Sequence, residues 1–333
     1  MISRKGLISI IRKYPIYTLI IIILLTLPIY APSFFVIQIA YGLIFGITGL
    51  AFNLLLGYTG LLSFGHAGFF AFGAYMMSLP IRHTGIVHTL EVYLAFAFIT
   101  SAALGALLGL ICARRTRIFF SILNLSFGLI IYSFFLKFWG FTGGADGTHV
   151  PTPPLLGMKF AVDKEYWMTH IYYYYILAAF FICLAIFWVI VNSNFGKTLQ
   201  AIRDNEIRAQ FTGIRIYRYR HIAYIISVAF TGLAGCLWAP LNGHTAPEIA
   251  WWTYSGDIVM LTILGGYQYF IGPVIGGLVF NVFKIYTIGY TVYWMLLLGI
   301  ILLILIFFIP RGLVGLGISI YNRLTHKKGS SKG

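Results

Sequence analysis

Apolar stretches of about 20 residues recur along most of this chain. Each is long enough to cross a hydrocarbon core of about 30 Å as a helix. That recurrence constrains the fold more than any motif does. A bilayer interior offers no water to unpaired peptide groups, so a spanning segment must be a helix or a strand of a closed barrel. The apolar runs show little of the alternation of a barrel strand, and the sequence predicts an all-α, polytopic membrane protein. Charged residues occupy 9% of 333 positions, against about 25% in soluble domains. A water-soluble fold is excluded.

Ten spans are expected, over residues 15–31, 34–56, 61–81, 92–113, 118–140, 171–191, 222–241, 255–268, 273–288 and 291–309. The eighth and ninth are short, and the third is rich in Gly. Together they make a single transmembrane domain over residues 1–333. Orientation follows from the 23 Lys and Arg. Most of them fall on both termini and alternate loops, while Arg82, Lys159 and Lys164 mark the opposite face. Basic loops stay cytoplasmic, so both ends are expected there. Lys137 and Lys284 lie within spans and are expected to snorkel. Topology thus accounts for the formal charge of +15 without nucleic acid as a partner. The basic start before Ile16–Ile29 has the flavour of a signal peptide. Its apolar run is long, however, and Ile29-Tyr30-Ala31 is a poor cleavage site, so a retained first span is expected.

Several chemistries find no residues. Cys112, Cys183 and Cys236 sit in apolar runs with neither metal-ligand nor disulfide spacing. Gly196-Lys197-Thr198 ends like a phosphate-binding loop, but Val191 occupies the place of its first Gly. No nucleotide site, cofactor or metal site is expected, and no catalytic cluster can be assembled. The carboxylates Glu91, Asp146, Asp163, Glu165, Asp204, Glu206, Glu248 and Asp257 are read as lying in loops or at span ends. Midplane ionisable groups typical of ion-driven carriers are therefore not expected, and energy should come from a partner.

Four polar or Gly-rich segments remain. Asn53 to Tyr75 combines Gly57, Gly60, Gly65, Gly68 and Gly73 with Asn53, Ser63 and His66. Small residues let helices approach closely or break, and Asn53, Ser63, Gly65 and His66 are candidate pathway-lining residues. Close packing alone is the alternative, but the polar insertions Asn53, Ser63 and His66 favour a pathway-lining element. A second break is expected at Gly265, Gly266, Gly272 and Pro273, where Pro273 disfavours helix in the residue before it. Two short helices would meet there at a cytoplasmic turn. The outward loop, residues 142–170, carries Thr142, Gly143, Gly144 and Asp146. It is long for a connection and could meet an external protein, cover an entrance or simply turn.

The fourth segment, residues 192–221, is a cytoplasmic loop. Asp204 or Asn205 can cap a short helix, Glu206 suits its positive end, and Gly213 supplies a left-handed stop. Ile207, Ala209, Gln210 and Phe211 give it one apolar side. Two turns bury too little surface to anchor on lipid headgroups, so docking into a partner's groove is the favoured reading.

Glu206-x-x-Ala209-x-x-x-Gly213 resembles the EAA-type loop of ABC-importer permeases. With the preceding Gly196…Ala201-Ile202-Arg203-Asp204-Asn205, the Asn53–Tyr75 block, Thr142-Gly-Gly-Ala-Asp146-Gly147, the Gly265–Pro273 turn and Pro310-Arg311-Gly312-Leu313, the chain resembles the branched-chain amino acid permease family, LivM type, over about residues 35–315. The resemblance implies a permease domain in the cell membrane that pairs with a LivH-like permease. Two cytosolic ATPases would use ATP and grip the loop through Arg203, Asp204, Asn205, Glu206, Ala209 and Gly213. An extracytoplasmic binding protein would deliver branched-chain or other small apolar amino acids. Gln210-Phe211-Thr212 departs from the small residues of the general motif. Related permeases carry urea, amides, ribose or nucleosides, which stay open as alternatives. A stand-alone secondary transporter or channel is the alternative of another class.

Overall fold

A computed structural model describes residues 15–160, 162–290, 293–308 and 311–319. Twelve helices carry the account: α1 (Pro15–Tyr30), α2 (Ser33–Thr59), α3 (His66–Thr84), α4 (Leu90–Cys112), α5 (Arg117–Lys137), α6 (Lys164–Asn192), α7 (Asn194–Asp204), α8 (Glu206–Phe211), α9 (Ile216–Asn242), α10 (Trp252–Gly265), α11 (Gly272–Tyr290) and α12 (Trp294–Phe308). Among the described residues the extended pairing is confined to β1 (Thr148–His149) against β2 (His244–Thr245), antiparallel, and an isolated bridge between Leu155 and Met158. The all-α expectation holds. Each expected span carries a helix, and six helices, α2, α4, α5, α6, α9 and α11, are long and apolar enough to cross a membrane. Residues 1–14 and 320–333, on which the cytoplasmic placement of both ends partly rests, lie outside the described residues.

Burial sorts the helices into layers. In α2 and α9, 67% and 72% of the most apolar window is buried, against 28% in α4 and α5. The first two are the centre and the second two the rim, where Ile99, Leu107, Ile111 and Ile122 are exposed. On a spanning helix such residues face lipid, which solvates them as well as a protein core would. α9 packs on α4, α3 and α2, and α2 packs on α11 and α6. The α3–α9 crossing depends on absent side chains. A Cβ on Gly73 would overlap the Gly232 carbonyl, so the two backbones touch at a distance that even Ala would forbid.

Three expected boundaries are corrected. The span placed at 61–81 begins only at His66, because Gly60 turns left-handed (φ 71°) and residues 60–65 leave the helix. Loop 142–170 ends earlier, since α6 starts at Lys164, where Asp163 accepts the Glu165 amide at 3.1 Å as an N-cap. Its first turns include a π-helical stretch, Trp167–Tyr172. Loop 192–221 is mostly helical, and a second helix, α7, precedes the expected one.

Candidate coupling site

Ser193 stops α6 in extended conformation and accepts the Gly196 amide at 3.4 Å, which opens α7. Leu199 and Ile202 of α7 are buried, while its polar side stays in water. At Asn205 the backbone is extended again (φ −157°, ψ 103°), and its Oδ1 accepts the Arg208 amide at 2.9 Å. Of the two candidate caps it is therefore Asn205 that starts α8, as an acceptor placed for an otherwise unpaired amide. Thr212 closes the helix and Gly213 follows at φ 83°, a backbone that costs Gly little.

Two side-chain clamps fix α7 and α8 on the bundle. Arg220, in the first turns of α9, donates from Nη1 and Nη2 to the two Glu206 carboxylate oxygens, both at 2.9 Å. The fork matches the carboxylate in number and plane, which makes this the strong form of ion pair. Arg220 is buried and Glu206 is 43% exposed, so water screens part of the attraction. On the other flank Arg203 donates from Nη1 to the Gly57 carbonyl in α2 at 2.5 Å and from Nε and Nη2 to Asp204 at 3.0 and 2.9 Å. Thereby α8 is tied to α9, and α7 just before it is tied to α2.

The apolar face of α8 is not the one expected. Ala209 is buried, whereas Ile207 and Phe211 are 67% and 88% exposed. They stand at i and i+4 and so share one outward face. A cleft of about 610 Å³ opens beside it, bordered by Glu206, Gln210, Arg114, Arg215, Arg218 and Arg220. Sequence reasoning missed Arg220, and with it the role of Glu206 as an anchor. The available signal was weak: a carboxylate and a guanidinium fourteen positions apart across a turn.

The candidate pathway residues lie inside this chain. Asn53, Ser63 and His66 are at most 1% exposed, and Gly65 is buried. His66 Nδ1 lies 2.9 Å from Ser63 Oγ and Nε2 lies 2.8 Å from Ser227 Oγ, which donates to the Ala51 carbonyl at 2.6 Å. Both ring nitrogens are satisfied, the usual state of a buried polar group. A Cβ on Gly65 would overlap the Asn124 carbonyl, so this Gly permits close packing. The tight-packing reading describes Ser63, Gly65 and His66; Asn53 differs in that its Oδ1 is buried without a hydrogen bond.

The outward loop is pinned down. Thr142 is buried and donates to the carbonyls of Phe135 at 2.5 Å and Phe138 at 2.9 Å. Gly143, Gly144 and Gly147 all take positive φ, and β1 pairs with β2 after α9, Thr148 opposite Thr245. The Leu90 amide then donates to the Pro154 carbonyl at 3.0 Å, and the Leu156 amide to Glu91 Oε1 at 3.0 Å. Asp146 stays exposed. The break at Gly265, Gly266, Gly272 and Pro273 separates α10 from α11, with Gly266 at φ 106°. A Cβ on Gly265 would overlap the Gly272 carbonyl, so the hairpin closes tightly. Lys284, expected to snorkel, and Asp257, expected at a span end, are found facing each other. Both sit inside helices and pair at 2.5 Å.

Residues 35–306 match the family model described as the branched-chain amino acid transport system / permease component. The chain belongs to this permease family. It is 28% identical over 309 residues to the high-affinity branched-chain amino acid transport system permease protein LivM of Escherichia coli and 27% identical to that of Salmonella typhimurium. Each alignment covers 87% of this chain and 72% of the relative. A probable branched-chain amino acid transport permease protein LivH of Methanocaldococcus jannaschii is 25% identical over 146 residues, 40% of this chain and 44% of its own length. No solved structure matches. Membership makes the chain a LivM-type permease subunit of an ABC importer, a multi-pass membrane protein. The Glu206–Gly213 motif falls on α8 and the turn after it.

Proposed function

We propose that this chain forms, with a second LivH-like permease, the pathway of an importer for branched-chain or other small apolar amino acids. Two cytosolic ATPases grip α8, and an extracytoplasmic binding protein supplies the cargo. The observation that carries this reading is the anchoring of the α7–α8 pair to both central helices, α8 through Glu206–Arg220 to α9 and α7 through Arg203–Gly57 to α2, while Ile207 and Phe211 of α8 stay uncovered.

The arrangement acts as a lever. An exposed apolar pair on a short helix suits a groove in a soluble partner. When ATP closes the ATPases, the groove moves and α8 moves with it. The clamps pass the displacement to α9 and α2, whose tight contacts leave little room for slack. Packed interiors switch between discrete arrangements rather than deform smoothly, so the helices tilt and access changes sides. The pinned outward loop offers the binding protein a fixed surface.

The test is co-purification of the ATPases with the wild-type chain and with a variant lacking residues 200–213. The deletion should abolish their association while the two permeases still co-purify. Undiminished ATPase binding would overturn the docking role. Uptake of leucine by this chain alone, in ATP-free vesicles under an ion gradient, would overturn the importer reading.

A further inference from the structure

Asp257 of α10 and Lys284 of α11 are charged residues inside two helices of a membrane bundle, where ionised groups are costly and mark function more often than packing. Their ion pair measures 2.5 Å, with Lys284 17% and Asp257 15% exposed. The pair borders a cavity of about 330 Å³, near the lower end of small-molecule sites at about 300 Å³. The ring of Tyr254 stands 4.9 Å from Lys284 Nζ, and Met260, Ile288 and Met295 line the apolar part.

We propose that this cavity is an intramembrane binding site for a zwitterionic α-amino acid, its carboxylate on Lys284, its ammonium on Asp257, and its aliphatic side chain among Met260, Ile288 and Met295. The proposal deepens the importer reading and rests on it for the cargo class.

Charge balance selects the ligand. In the empty site Asp257 and Lys284 neutralise each other. A zwitterion divides that pair and supplies a partner to each half, so one ion pair becomes two with no net charge added. An anion or a cation leaves one buried charge unpaired, which is strongly unfavourable. A neutral solute such as urea or ribose gives neither half an ionic partner. The Tyr254 face already holds the Lys284 ammonium at 4.9 Å, which keeps that cation in place for a carboxylate. The simpler reading, a tie between α10 and α11, leaves the cavity unexplained. That hairpin is already locked at its other end, where a Cβ on Gly265 would overlap the Gly272 carbonyl and one on Gly276 the Leu261 carbonyl.

The experiment uses the complete transporter, both permeases with ATPases and binding protein, reconstituted in vesicles. ATP-driven uptake of radiolabelled L-leucine is measured, together with its direct binding to the permease–ATPase complex without binding protein. Asp257→Asn and Lys284→Gln should each weaken L-leucine binding by about tenfold or more, with subunit composition and thermal unfolding as readouts of assembly. The swapped pair D257K/K284D restores a structural tie but reverses the ends that meet carboxylate and ammonium, so it should assemble and still bind L-leucine poorly. It also serves where a single variant fails to assemble. Wild-type binding in the single variants, or in the swapped pair, overturns the site. Absence of leucine uptake by the wild-type transporter overturns the cargo reading instead, so the two failures are distinguishable.

Discussion

The chain interrupts its apolar helices at length in two places, and the two interruptions are held in opposite ways. The outward loop, from Gly143 to Asp163, is fixed mainly by its backbone, with side-chain contacts from Thr142 and Glu91 at two points. Left-handed glycines turn it, and β1 pairs with β2. The polar segment from Ser193 to Arg215 is held by side chains: the Asn205 cap, the Glu206–Arg220 fork and the Arg203 clamp. Backbone pairing gives a surface that stays put whatever surrounds it. Side-chain clamps let a short helix keep its apolar face outward and carry a push inward. Under the proposed function, a surface that receives a partner and a lever that is moved by one need these different fastenings.

The comparison breaks first in the outward loop, where the largest effect is expected. Gly143 has φ 86°, and a Cβ there would overlap the Gly147 carbonyl. Gly143→Val should lower stability by about 3 kcal/mol, through backbone strain and a lost close approach, read as a fall in thermal unfolding of the purified complex. An unchanged melting temperature would mean that the loop is not held by its turns. In the lever, Phe211→Asp should leave unfolding alone, because the side chain is 88% exposed. ATPase affinity should drop by about 2 kcal/mol, roughly thirtyfold, as for an interface anchor. Equal ATPase binding in a titration would remove α8 from the interface.

A smaller effect belongs to the clamp. Glu206→Gln keeps the shape but loses the charge facing Arg220, at a cost of about 1 kcal/mol given the exposure of the carboxylate. ATP hydrolysis should then run less tightly coupled to uptake, seen as a raised ratio of ATP consumed to leucine moved; an unaltered ratio would leave the clamp a purely structural contact. Least is expected of Asp146→Asn. Asp146 is exposed, and its replacement should move stability by less than about 0.5 kcal/mol. A larger fall in melting temperature would show that the loop depends on side chains as the lever does.

Legibility followed the range of the interactions. The apolar runs, the break before Gly272, the stop near Gly213 and the Asn205 cap involve residues within a few positions of one another, and each was readable. Helix α7 was missed because its apolar contribution is only a few residues on one side of a polar segment. Ala209 was grouped with Ile207 and Phe211, although helical geometry divides them between inner and outer faces. His66 was singled out as a rarity in a span, but its satisfaction depends on Ser227, 161 positions away.

The sequence by itself determined the solvent and the class of fold. Repeated apolar runs force helices in a bilayer, and the local motif at Glu206–Gly213 is legible within eight positions. Only the tertiary structure decided which charges meet. Glu206 with Arg220 and Asp257 with Lys284 are joined by helix packing rather than by proximity along the chain. In a low-dielectric interior such a pair changes from two costly charges into a clamp or a site. Nothing local in a sequence records that change, because its energy belongs to the distance between two helices.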